Sequence, residues 1–138
     1  MVTSLNQGTP AREAGYEMMQ YISARLTMSG TANLPVLKIG TISAGSVIVG
    51  ISNTVTTVIA GGTPVLGLGS VAAGGAVPAV GGSGNVNIVM AEAAGSEWIM
   101  PLSGTAVLTV DTDFYVGTSG GATSGVTVVA IFFIKPLA

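Results

Sequence analysis

The sequence predicts an all-β protein: an antiparallel β-sandwich of jelly-roll-like topology, preceded by an extended N-terminal arm. Three observations predict it. Apolar residues recur with a period of two in seven or eight short runs. Gly, Ser, Thr and Asn separate those runs at roughly 10–15-residue spacing. No long stretch of helical periodicity follows residue 20. The chain has 138 residues, which suits one domain over residues 21–138 with length enough to enclose a core.

Residues 1–20, "MVTSLNQGTPAREAGYEMMQ", are polar and lack strand alternation. Pro10 could open a helical turn capped by Thr9, but Gly15 limits it. The expectation is an arm that docks on a partner, with Arg12, Glu13, Tyr16 and Glu17 as its contacting residues. The opening also lacks the basic and apolar regions of a secretory signal, so synthesis in a cytoplasm is expected. "YISARLTM" (21–28) puts Ile22, Ala24, Leu26 and Met28 on one face, as a strand does. "LPVLKIGTI" (34–42) reads as the second strand. "SVIVGISNTVTTVIA" (46–60) is the third, with Val47, Val49, Ile51, Val55 and Ile59 on its apolar face.

"PVLGLGSV" (64–71) is a fourth strand, followed by a glycine-rich loop over 72–84. Gly67, Gly69 and Ala72 do fit G-x-G-x-x-A, with Glu92 about 20 residues on, but Gly74, Gly75 and Pro78 forbid the helix that a dinucleotide site needs. "NVNIVMAE" (85–92), "EWIMPLS" (97–103), "TAVLTVDTDFYVG" (105–117) and "GVTVVAIFFIK" (125–135) complete the strands.

Composition narrows the chemistry. There is no Cys and no His, which removes thiolate chemistry, disulfides, the usual acid–base residue near neutral pH and the commonest metal ligand. Net charge is −2, with no basic patch for phosphates, so a nucleic-acid partner is not expected. Mean hydropathy is +0.72. Even so, Gly, Pro, Thr and Asn interrupt every apolar run before the length of about 20 residues that a membrane-spanning helix needs. Charged residues make up 7% of the chain, far below the roughly 25% of typical soluble domains, which points to surface buried against other subunits.

Two features could carry chemistry. Asp111 and Asp113 sit two apart, and on a strand both would face the same way. They read as solvated acids, as ligands for a hard cation, or as an acid–base dyad. Trp98 could be a sugar platform or a core or interface residue, and its neighbours Ile99 and Met100 favour the latter. In the last strand Val129, Ile131 and Phe133 share one face with Thr127 and Lys135, which bound it and make it read as the outer face. An outer face that apolar should be covered, so these three are expected at a subunit interface.

The segment "LKIGTISAGSVIVG" (37–50) has a strand ending in Ile-Gly-Thr-Ile, then x-Ala-Gly, then a second apolar strand. "PLSGTAVLTVDTDFYVG" (101–117) has a Thr-x-Asp-Thr bend before an apolar strand, and "SGGATSGVTVVAIFFIKPL" (119–137) runs from a small-residue hairpin into a long final strand. Together these resemble the head decoration, or cement, proteins of tailed bacteriophages over roughly residues 21–138. The resemblance implies a β-sandwich body, usually trimeric, seated on the outside of the capsid with the major capsid protein as partner. It implies no catalytic residues and no cofactor. The alternative is a fibre, spike or adhesin-type β-domain that binds glycans.

Overall fold

A computed structural model describes residues 19–30, 36–62, 65–78, 86–89, 97–101, 107–119 and 121–135. Eight strands lie among them: β1 (Gln20–Met28), β2 (Leu37–Ile42), β3 (Val47–Ala60), β4 (Val65–Ala72), β5 (Val86–Val89), β6 (Glu97–Pro101), β7 (Thr112–Ser119) and β8 (Ser124–Ile134). No helix long and apolar enough to cross a membrane occurs among the described residues.

The pairing follows one rule. β1 pairs with β8, β2 with β7, β3 with β6 and β4 with β5, all antiparallel. This is a long hairpin of eight strands folded over on itself. The fold brings β8 against β3 and β7 against β4, which builds two four-stranded sheets of order β1-β8-β3-β6 and β2-β7-β4-β5. The body is therefore an antiparallel, jelly-roll-like sandwich, as the alternation predicts.

The inner faces meet in one core. Leu26, Met28, Ile51, Val55, Val129, Ile131 and Phe133 come from the first sheet, and Ile42, Leu66, Leu68 and Val116 from the second. One polar pair sits among them. Thr127 and Asn53 are both fully buried, and the Thr127 hydroxyl donates to the Asn53 side-chain oxygen, with the Thr54 carbonyl 3.1 Å away as a second acceptor. Such a pair sets register between β3 and β8, because a one-residue slip of either strand would turn its member of the pair to the opposite face and part the two.

The structure corrects three expectations. Val129, Ile131 and Phe133 are 0%, 1% and 6% exposed within the chain's own core, so they are not an outer face awaiting a subunit. The ends of the strand misled: Thr127 is buried with its hydroxyl satisfied, and Lys135 lies past the strand's end. The outward set on β8 is Val126, Val128, Ala130 and Phe132, opposite Thr27, Arg25, Ser23 and Tyr21 of β1. In β3 the register shifts between Ile48 and Gly50, so the strand takes up an extra residue there. The bulge turns Ile48 inward, in place of the alternating Val47 and Val49. Finally, β7 starts at Thr112 and not at 105: residues 107–111 run across the end of the sandwich, with only Val107 bridged to Val47.

Two substitutions test this packing. Ile131→Asp puts a carboxylate without a partner into the core, and should abolish cooperative folding of the subunit itself, read as loss of the thermal transition by circular dichroism. Retention of a native melt would place Ile131 on a surface. Gly125 has φ +129°, and a Cβ there would stand 2.7 Å from the Ile59 Cα, a backbone atom that cannot step aside. Gly125→Ala should therefore destabilise by about 1–3 kcal/mol in denaturant titrations.

Candidate functional site

Three connections meet at one end of the sandwich: residues 43–46 between β2 and β3, residues 73–78 after β4, and residues 107–111 before β7. Two carboxylates bind them together. Asp113, at the start of β7, is 3% exposed. Its Oδ1 accepts from the Thr41 hydroxyl at 2.5 Å and lies 2.8 Å from the Lys38 ammonium, both on β2. Its Oδ2 accepts from the Gly74 N–H at 3.1 Å, in the turn after β4. Asp111 stands one step outside. Its Oδ1 accepts from the Ala44 N–H at 2.9 Å, and its carbonyl accepts from the Ala73 N–H at 2.8 Å. Backbone bonds finish the clasp: Gly45 donates to the Leu108 carbonyl at 2.7 Å, and Leu108 donates to the Ser46 carbonyl at 2.9 Å. Gly45 and Gly74 turn these connections with φ of 82° and 81°, which a side chain would resist.

The electrostatics follow from the geometry. The hydrogen bond from Lys38, then those from Thr41 and the Gly74 N–H, hold the Asp113 carboxyl down at about 2. The same contact with Asp113 raises Lys38 above its ordinary value. The two aspartates thus do not act as one pair. Asp113 is an ion-paired tie among strands, and Asp111 is an exposed cap on two loops. No group of three or more acids that could hold a metal ion gathers among the described residues.

Apolar side chains stand exposed around this clasp. Val77, Val107 and Val110 are 59%, 53% and 51% exposed, on two of the three connections that the aspartates fasten. The outer face of the β1-β8-β3 sheet offers a second surface. Phe132, Ala130 and Val128 form the floor of a shallow groove of about 410 Å³, edged by Tyr21 and Ser23 on one side and Ser52, Thr54 and Thr56 on the other. The Tyr21 and Phe132 rings are 5.9 Å apart and tilted by 43°. Beside them Met19, Val49, Gly50 and Phe132 line a notch of about 220 Å³.

Of the residues singled out in the sequence, Gly67 and Gly69 lie within β4 between β5 and β7, not at a strand-to-helix turn. Trp98 is in β6 opposite Asn53, and its side chain lies outside what is described. Arg12, Glu13, Tyr16, Glu17 and Glu92, with residues 79–84 of the 72–84 loop, lie outside the described residues. Sequence reading missed Lys38 as the partner of Asp113. Pairing the second strand with the seventh would have found it, since Thr41 then faces Asp113 directly.

The clasp predicts an acid limb in stability. Asp113 titrates at about 2 in the folded protein against an ordinary 3.8. A depressed folded pKa means that the stabilisation is present above 3.8 and is lost as pH falls from there towards 2. Chemical denaturation midpoints measured across that range should fall with acid. In Asp113→Asn the fall should be shallower and the midpoint at neutral pH lower, because Lys38 loses its charged partner. Identical acid profiles for the two proteins would remove Asp113 from this role.

No protein-family profile matches the chain, and no curated protein matches it. Among solved structures, a chain in the structure of infectious bursal disease virus, Gx strain, matches at 11% identity with a TM-score of 0.33. The match takes in 89% of this chain and 38% of that one. A likeness this distant carries no inference about activity or partners.

Proposed function

We propose that the chain is a structural virion protein of the head decoration, or cement, type. In this reading it binds the outside of a shell of major capsid protein as a homotrimer, stabilises that shell, and has neither catalytic role nor cofactor. One observation carries the reading. Two of the three segments that resemble decoration proteins, 37–50 and 101–117, supply the parts of the clasp: Lys38, Thr41 and Ala44 from the first, Asp111 and Asp113 from the second. They lie some 70 positions apart in sequence, and the fold joins them at a single end.

The physical chemistry of that end supports contact with a large partner. Exposed valines gain free energy when covered, roughly 25 cal/mol for each Å² of apolar surface removed from water. Loops already fastened by Asp111 and Asp113 lose little conformational freedom on docking. A chain with 7% charged residues has few charges to desolvate at such a contact.

Mass spectrometry of purified particles that carry this chain tests the role. A copy number that is a fixed fraction of the major capsid protein is the expected result, whereas a handful of copies per particle would mean a fibre or spike. The contact surface has its own test. Val77→Glu and Val110→Glu should each weaken particle binding by roughly tenfold or more, with the melting temperature of the free protein unchanged. Full decoration by both variants would move the contact elsewhere.

A further inference from the structure

We propose that the outer face of the β1-β8-β3-β6 sheet is where a second copy of this chain packs, face to face, about a two-fold axis that runs along the strands. The inference is independent of the decoration reading. A two-fold contact repeats the same patch on both copies, so where trimers form it joins subunits of two different trimers. It begins from three rows that cross the sheet, one residue from each strand. Arg25, Val128, Thr54 and Glu97 make the first row. Ser23, Ala130 and Ser52 belong to the second, and Tyr21, Phe132, Gly50 and Pro101 make the third. The groove opens over the β1, β8 and β3 members of these rows, and Arg25 stands exposed on the same face.

The rows differ from edge to edge, and that difference selects the partner. Rotation about an axis along the strands lays β8 over β3 of the partner subunit and β1 over β6 of the partner subunit, with each row kept at its own height. Phe132 then meets Gly50 of the partner subunit, a ring against a position with no side chain. The notch lined by Val49, Gly50 and Phe132 is the space that the ring enters. Ala130 meets Ser52 of the partner subunit, and Val128 meets Thr54 of the partner subunit. Arg25 comes over the register position of Glu97 of the partner subunit, and the symmetry repeats that pair at the other edge. Charge decides between the two ways of stacking the faces. An axis across the strands would lay β1 over β1 and leave Arg25 three strands away from Glu97 of the partner subunit. Rim charges of this kind fix orientation more than they add affinity.

Size and composition suit a second copy. Antiparallel sheets stack about 10 Å apart with their strands within about 30° of each other, which a two-fold axis along the strands allows. The face is four strands wide, about 19 Å, and the nine residues of β1 run about 30 Å. Each copy thus offers on the order of 500 Å², and two copies together reach the roughly 1,000 Å² of a specific contact. The floor is apolar and its margin carries hydroxyls and charges, the anatomy of an association between folded subunits.

Sedimentation equilibrium of the full chain tests this. The expected species is a dimer, or a larger assembly with an even number of copies. Arg25→Glu should raise the dissociation constant of the contact by about tenfold or more, with the circular dichroism of the subunit unchanged because Arg25 is exposed. Arg25→Glu combined with Glu97→Arg should return it to within about threefold of the original, which neither misfolding nor a change of net charge produces. A protein that stays monomeric or stops at three copies overturns the proposal, and so does a double reversal that restores nothing. Cysteines give an independent reading, since the chain has none of its own. Val128→Cys and Thr54→Cys, made in separate chains and mixed, should form a disulfide between the two variants under mild oxidation faster than either variant does with itself. Equal rates would mean that the faces do not meet in this register, and would overturn the proposal.

Discussion

The last strand is held on both sides, and the rest of the body depends on it. β8 pairs with β1 along its whole length and with β3 across the other edge. Until those two pairings form, neither Ile131 nor Phe133 has a core to enter, and the first sheet does not exist. Both pairings are between distant parts of the chain. Loop-closure entropy therefore falls due before the packing that offsets it, and a body of this kind is a slow folder among single domains. The Asn53–Thr127 pair matters in that light. It joins the Asn53 side-chain oxygen to the Thr127 hydroxyl inside the core in one register of β3 against β8, although the buried Asn53 Nδ2 is left without a partner.

The second sheet has a matching constraint in the clasp. A sandwich with long connections would leave the 43–46, 73–78 and 107–111 segments loose at one end. Here one buried carboxylate draws β2, β7 and the turn after β4 to a point, and Asp111 fastens two loops, one through its exposed carboxylate and one through its backbone carbonyl. With so few charges in the chain, spending two of six acids and one of four bases there concentrates its electrostatics at a single location. The valines nearby are exposed on a frame that is held still.

Much of the fold was legible from alternation. Ile22, Ala24, Leu26 and Met28 face inward as the period of two requires, and eight strands lie close to their expected places. The reading failed where one local sign was ambiguous. In β8 both faces are apolar, so polarity at the ends had to decide, and Thr127 was a buried hydroxyl and not a solvated one. In β3 a single extra residue at the bulge exchanged the faces, which no count of alternating residues detects. The clasp was half legible: Asp111 and Asp113 stood out as acids, but the meaning of Asp113 lay in Lys38, Thr41 and Gly74, and only the pairing of β2 with β7 and the turn after β4 bring those within reach. The groove was hidden by the same inversion that misplaced Val129, Ile131 and Phe133.

The pairing of Gln20 with Phe133 has a mechanical consequence. The strand that opens the body and the strand that closes it run side by side in opposite directions, so both leave from the same corner. Pulling those two ends apart loads the β1–β8 hydrogen bonds one after another, as a zipper is opened, and not all together in shear. Force that enters through the faces or the clasped end is instead shared by both sheets. A body connected this way resists strain well when it is gripped from outside and poorly when it is stretched between its own termini.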